Sequence, residues 1–229
     1  MSVTPIAGGL RVFGSTIPME QRLDMFQEEL ALLGNEKARA FAILLLKALP
    51  NYFFCIPASS SGKYHPPQDL GEGGLVRHTK TAMQVFYAMA NNAEMWSWAP
   101  TRLWGTTQCM TKEDFVDAGL LALLVHDGLK NGHVDGAGTA DATTVHEHPL
   151  LAAGLVRTVA ASAGIDKDVA RTISEAVASH MGQWNVSKYS SVVLPTPAGN
   201  NWLCKMVHMA DYIASRKFFN MDFAALKGV

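Results

Sequence analysis

The run Leu120-Leu121-Ala122-Leu123-Leu124-Val125-His126-Asp127-Gly128-Leu129-Lys130 ends a wholly apolar stretch on two strong metal ligands. A helix that is apolar all round for two turns is a buried helix. A carboxylate beside an imidazole at its end is costly to bury unless a charge compensates both. A divalent cation supplies such a charge. The run therefore predicts a central helix from about Lys112 to Asp127, capped by Thr111 and presenting ligands at its inner end.

Working outward, the partners that such a cation needs are imidazole nitrogens and carboxylate oxygens, and they stand in segments that read as helices: His78, His148, His180 and Asp211. Gly74-Leu75-Val76-Arg77-His78-Thr79 opens an apolar-periodic stretch through Met83, Val85, Phe86 and Met89. Glu147-His148-Pro149 opens another, with Pro149 suited to a first turn that does not use its missing N–H. Ala176 to His180 closes a third, and Met206 to Ile213 places Asp211 in mid-helix. Ligands from five helices converge only in a helical bundle with a polar site inside it, so the expected fold class is all-α.

The ordered set H…HD…H…H…D resembles the HD-domain superfamily of metal-dependent phosphohydrolases. The likeness runs from about Tyr64 to Lys217. It is carried by the His126-Asp127 doublet together with Gly73-Gly74-Leu75-x-x-His78-Thr79 before it and Asp211-Tyr212-x-x-Ser215-Arg216 after it. The resemblance implies that His78, His126, Asp127 and Asp211 are the core metal ligands, and that His148 and His180 complete a second site. The segment Ser179-His180-Met181-Gly182-Gln183-Trp184 looks like the His-His-Gly stretch of HD-type 3′–5′ exoribonucleases and cyclic-nucleotide phosphodiesterases, with Met181 in place of the second histidine. The implied cofactor is one or two divalent ions per chain, with Mn, Mg, Fe, Ni and Zn all open.

Composition bounds the alternatives. The chain has 229 residues, 48% of them apolar and 17% charged, enough for a sizeable core and too apolar for disorder. A net charge of −1 gives no global basic field of the kind duplex nucleic acid calls for, so any nucleic-acid role has to use a local patch or a short single strand. Cys55, Cys109 and Cys204 are odd in number and lack CxxC spacing, which favours a reducing compartment over a disulfide framework. No apolar run reaches the roughly 20 residues of a membrane span. The expectation is a soluble, cytoplasmic protein, with homo-oligomerisation left open.

Residues 1–50 read as an extension and accessory layer, and 51–229 as the catalytic bundle. Met1 to Thr16 is a loop or edge strand, one helix follows from Pro18 to Leu33, and Gly34-Asn35 separates it from another over Glu36 to Leu49. Three long connections follow: Asn51 to Gly73, Trp96 to Thr111 and Val186 to Asn201. The glycine-rich segment Asn131 to Thr144 looks mobile.

A metal-activated hydroxide attacking a phosphoester is the expected chemistry, with Asp127 bridging two ions and Lys130, one turn on, facing the phosphate. Lys130 reads equally well as a cation favourable to a helix C-terminus. The loop Pro57-Ala58-Ser59-Ser60-Ser61-Gly62-Lys63-Tyr64-His65 fails as a Walker motif, yet its small residues suit an anion, which makes Ser61, Lys63, Tyr64 and His65 candidates for substrate binding. Arg77 and Arg216 are candidate phosphate clamps, and Trp184 can stack on a base. His146 competes with His148 for the ligand role, and His208 lies one turn before Asp211. Two other readings stand beside the hydrolase: a nucleotide-sensing module that keeps the metal site, and a di-iron oxygenase variant of the same fold.

Overall fold

The computed structural model describes residues 3–5, 10–13, 16–98, 110–135, 139–199 and 201–217. In chain order they form β1 (Val3–Pro5), β2 (Leu10–Phe13), α1 (Met19–Met25), α2 (Gln27–Ala31), α3 (Glu36–Ala48), α4 (Gly74–Asn91), α5 (Ala93–Trp98), α6 (Lys112–Val125), β3 (Thr139–Asp141), α7 (His148–Ser162), α8 (Lys167–Ala178) and α9 (Trp202–Ala214). Short 3-10 turns occupy Asn51–Phe54, Pro67–Asp69 and Gly182–Trp184. The protein is mostly helical, as expected.

Helix α6 is the axis. Thr111 caps it: the Thr111 hydroxyl accepts from the Asp114 N–H at 3.0 Å, and the Asp114 carboxylate accepts from Thr111 N–H at 3.4 Å. Every residue from Phe115 to Val125 is buried. That follows from packing on several sides at once, because α3, α4, α8 and α9 all contact α6. Each buried leucine contributes roughly 1.5–3 kcal/mol. The helix ends at His126, where Gly128 N–H returns to Val125 O at 2.8 Å and the chain turns. The His-Asp doublet thus sits at the inner end of the most buried helix.

One apolar core runs from Ile17 to Ala214 without a break at residue 50, and α3 packs directly on α6 and α7. Residues 17–49 are continuous with the bundle at the level of the core. The single helix expected over Pro18 to Leu33 is two, divided at Phe26. The physical reason is tertiary. Met25 O accepts from Lys80 Nζ at 3.0 Å, and the buried Phe26 ring stacks on Phe53 with centroids 6.2 Å apart.

A second departure is a small antiparallel sheet in the order β1-β2-β3, in which Leu10 to Val12 pair with Asp141 to Thr139. It gives the N-terminal edge strand a partner inside the segment expected to be mobile. The described ends of that segment are fixed: Asn131 O accepts from Asp141 N–H at 3.0 Å, Asn131 Nδ2 donates to Asp141 O at 2.7 Å, and Tyr52 Oη donates to Gly132 O at 2.6 Å. Residues 136–138 lie outside the described residues. Helix α5 extends into the connection expected from Trp96; most of that connection, with Cys109, also lies outside them. Cys55 and Cys204 are buried. No helix among the described residues is long and apolar enough to cross a membrane.

Candidate metal centre

Six side chains meet where α6 ends, and Asp127 stands between two groups of them. Its Oδ2 lies 3.7 Å from His126 Nε2 and 3.9 Å from His78 Nε2. Asp211 Oδ1, from the middle of α9, joins this group at 3.0 Å from His78 Nε2 and 3.5 Å from His126 Nε2. The other oxygen, Oδ1, has different neighbours: His148 Nε2 at 2.9 Å and His180 Nε2 at 3.7 Å. Metal–ligand bonds of about 2.0–2.2 Å place neighbouring ligand atoms roughly 3.0–3.5 Å apart, a spacing that the closest pairs of each group have and that the 3.7 and 3.9 Å pairs exceed slightly. The buried His and Asp side chains around Asp127 can hold a metal ion.

The backbone aims three of the rings. His126 Nδ1 donates to Leu123 O, His148 Nδ1 to Val145 O and His180 Nδ1 to Val177 O, each at 2.7 Å and each to the carbonyl three residues back. A carbonyl only accepts, so Nδ1 carries the proton and Nε2 is left as the ligand atom in the neutral ring. These carbonyls are available because the histidines stand at helix ends or turns, where backbone groups lack intrahelical partners. His148 Nε2 and His180 Nε2 then face each other at 3.4 Å. Two lone pairs at that distance repel unless a cation or a proton lies between them, which is the test that the donor set passes as a metal site.

Charge follows the same geometry. Burial pushes the Asp127 carboxyl up, but Lys130, His126 and hydrogen bonds from His148 and His180 outweigh it and hold the group well below the usual carboxylate range. Asp211 is likewise held low, by His126 and His78 against burial. Burial lowers His78 and His148 despite their bonds to Asp211 and Asp127. His126 goes the other way: burial lowers it, yet Asp127 and Asp211 prevail and raise it.

These shifts fix a pH profile for the chelated protein. His78 and His148 take up protons in the unfolded chain near pH 6.5 but in the folded one only at lower pH, so their contribution falls as pH drops below 6.5. The His126 contribution is complete below 6.5 and is lost as pH rises through its elevated folded value. Melting temperature is expected to peak near pH 6.5, and the limb just above it, below the range in which the buried Cys55 and Cys204 thiols ionise, should vanish in His126→Gln. A limb that survives in that variant would show that His126 does not carry the shift.

The remaining sequence candidates divide by position. Lys130 Nζ pairs with Asp127 Oδ2 and is buried. It also lines a cavity of about 100 Å³ with Pro57, Ser60 and Thr144, which brings the serine loop beside the centre. His65 reaches the centre itself, its ring edge-on to His78 at 4.8 Å. Tyr64, Trp184 and Arg216 come together around Tyr212: the Arg216 guanidinium lies 4.3 Å from the Tyr212 ring centroid, 5.2 Å from Tyr64 and 5.5 Å from Trp184, and Trp184 stacks on Tyr212 at 5.5 Å. Ser61 and Lys63 are exposed, with local contacts only: Ser61 to Ser59 and the Lys63 N–H, Lys63 over the Tyr64 ring. Arg77 donates to Gln68 O at 2.7 Å and Glu72 O at 2.8 Å, so its guanidinium clamps the loop rather than facing the centre.

His146 Nε2 bonds Val192 O at 3.1 Å, away from the cluster that His148 joins. His208 Nδ1 donates to His180 O at 2.6 Å and so supports a ligand through its backbone. Two residues of the site had no role assigned to them in the sequence reading. Tyr212 follows Asp211 but points its ring at residues 28 positions away, a contact with no local signature. Asp69 is fully buried four residues after His65, and that spacing was its only signal. Comparison with family profiles, curated proteins and solved structures gave no match to this chain.

Proposed function

We propose that this chain is a metal-dependent phosphohydrolase of the HD-domain kind, cleaving a phosphoester bond in a nucleotide or a short single-stranded oligonucleotide. The observation that carries the proposal is the division of labour at Asp127, whose two oxygens meet two separate sets of imidazole nitrogens. His78, His126, Asp127 and Asp211 would hold one divalent ion, and Asp127, His148 and His180 a second. When bound, such ions act as Lewis acids toward phosphoryl oxygens and lower the pKa of water.

The protein's own groups supply the rest. Lys130 stands within reach of the centre as a buried cation and is the group to meet charge that builds on a phosphoryl oxygen. Asp127 keeps that ammonium in place. Tyr64, Trp184 and Tyr212 offer aromatic faces beside the ligand-bearing turns at His65, His180 and Asp211, and Trp184 and Tyr64 are exposed at 38% and 49%. Arg216, held by Tyr212 O at 3.1 Å and Ser215 Oγ at 2.8 Å, adds positive charge among them. Rings and a guanidinium next to a phosphate-binding centre suit a base and its phosphate.

The test is a hydrolysis screen of nucleotides, cyclic dinucleotides, short RNA and DNA, and a base-free aryl phosphodiester, after chelation and with Mn²⁺, Mg²⁺ or Ni²⁺ restored. Activity should require the metal. Base stacking is worth about 1–3 kcal/mol by alanine substitution, or roughly 5- to 150-fold. Trp184→Ala should therefore raise KM for base-bearing substrates by about that factor and leave the base-free diester unchanged. Tight nucleotide binding without turnover of any substrate would replace the hydrolase with the sensor reading.

A further inference from the structure

His78 differs from the other three imidazoles of the centre in what holds its second nitrogen. His126, His148 and His180 give Nδ1 to the carbonyl three residues back in their own turn, whereas His78 lies inside α4, where the backbone carbonyls behind it are engaged in the helix. Its Nε2 meets Asp211, and its Nδ1 is buried without a hydrogen-bond partner among the described residues. A buried N–H left in that state is costly, because it has given up its water without gaining an acceptor.

Unpartnered buried atoms concentrate in His65 to Asp69 and in the residues of α4 at His78 and Thr79, and His65 and Asp69 lie against this ring. Besides His78 Nδ1, the atoms are both carboxylate oxygens of Asp69, Nδ1 of His65, Nε2 of Gln68 and Oγ1 of Thr79. Elsewhere among the described residues the same condition is found only at Glu29 Oε2, which has Lys80 Nζ at 3.3 Å. Asp69 Oδ2 is 3.8 Å from His65 Nδ1, and a nitrogen of His78 lies within 4.8 Å of both groups. Asp69 is therefore the acceptor that the niche offers His78.

Its position is built rather than incidental. Asp69 O accepts from Ala58 N–H at 2.9 Å and Asp69 N–H donates to Pro66 O at 3.0 Å. Gly73 N–H and Leu75 N–H reach back to Cys55 O and Ile56 O at 2.8 and 2.9 Å. A Cβ at Gly74 would lie 2.0 Å from Asp69 O, so only glycine lets the first turn of α4 approach this close. Arg77 fastens the preceding carbonyl. These bonds lock the Asp69 backbone to the helix that carries His78.

We infer that Asp69 is a positioning residue for His78: its carboxylate takes the Nδ1–H, so that Nε2 is the ligand atom for the first ion, while His65 packs edge-on against the ring. The inference rests on the metal-centre reading. A third cation between Asp69, His65 and His78 is the competing use of the same atoms, but it would need His78 to bind ions through both nitrogens and so to lose its last proton. A carboxylate acceptor leaves the ring neutral, the form in which imidazole ordinarily ligates.

The experiment measures Zn²⁺ affinity by competition with a chromophoric chelator, on the full chain, for wild type, Asp69→Leu, Asp69→Asn, His78→Ala and the Asp69→Leu/His78→Ala double variant, with melting curves in chelator as the control for folding. Loss of such an acceptor weakens metal binding about 10- to 100-fold. Asp69→Leu should show that loss, and Asp69→Asn, which keeps an oxygen acceptor, a smaller one. The effect of Asp69→Leu should vanish in the His78→Ala background, because a group that acts through His78 has nothing left to act on.

Equal loss in both backgrounds, or wild-type affinity in Asp69→Leu, overturns the inference. So does the disappearance of one whole Zn²⁺ with the others unaltered, which would mark a cation site at Asp69 itself. Should Asp69→Leu fail to fold, unchanged affinity in Asp69→Asn has the same force. Absence of specific Zn²⁺ binding in the wild type would instead refute the metal centre as a whole.

Discussion

Asp127→Ala is expected to remove the metal and the activity together. Asp127 belongs to both groups of donors, so its loss takes a ligand from each, and hydrolysis should fall to background. His148→Ala touches only the Oδ1 side and should keep one ion per chain while losing most activity. The contrast separates two ions from one. Stability must be followed in parallel, because Asp127→Ala also leaves Lys130 buried without its partner. Breaking a buried pair from one side costs about 3–5 kcal/mol. At roughly 2–4 °C per kcal/mol for a chain of this size, the chelated variant should melt about 6–20 °C lower. Asp127→Asn, which keeps the volume, is the companion control. Metal content equal to wild type in a folded Asp127→Ala protein would remove Asp127 from the centre.

The second large effect concerns the frame. Helices α4 and α6 carry His78 and His126, and they meet at Gly119. A Cβ there would lie 1.9 Å from Cζ and 2.3 Å from Cε1 of Phe86, whose ring is fully buried and stacked on Phe115 with centroids 6.0 Å apart. Overpacking of this kind costs typically 1–3 kcal/mol and sometimes more. Gly119→Ala should lower the melting temperature by about 2–12 °C and weaken metal binding through the shifted helices. Shortening the opposing side chain in Gly119→Ala/Phe86→Leu should recover part of both. A melting curve like that of wild type for Gly119→Ala would mean that the two helices do not approach as described.

What the sequence made legible was what local chemistry determines. The apolar run with Thr111 before it and His126-Asp127 after it specifies a buried, capped helix with ligands at its end, and α6 has that form. Pro149 marked the first turn of α7, and apolar spacing placed Asp211 inside α9. The features that stayed hidden depend on contacts distant in the chain. The break at Phe26 is made by Lys80, 55 residues from the Met25 carbonyl that it binds. The sheet joins strands of three and four residues from opposite sides of six helices, too short for an alternating pattern to register. Asp69 lies in a one-turn 3-10 segment with no periodicity at all, and only its burial against His78 gives it meaning.

The bonds from Nδ1 of His126, His148 and His180 to carbonyls of their own turns have a consequence for ion choice. Ring orientation is set by the backbone of three well-packed helices, so the shape of the cage does not depend on the ion that enters it. Zinc-finger domains, by contrast, take their fold from the metal. Here chelation should leave the helices in place, and ions would compete for a receptor of fixed dimensions. In such a receptor discrimination comes from radius and preferred geometry more than from how strongly each ion attracts nitrogen and oxygen donors. On the proposed function, the identity of the working metal would in that sense be written into the backbone turns that aim the rings.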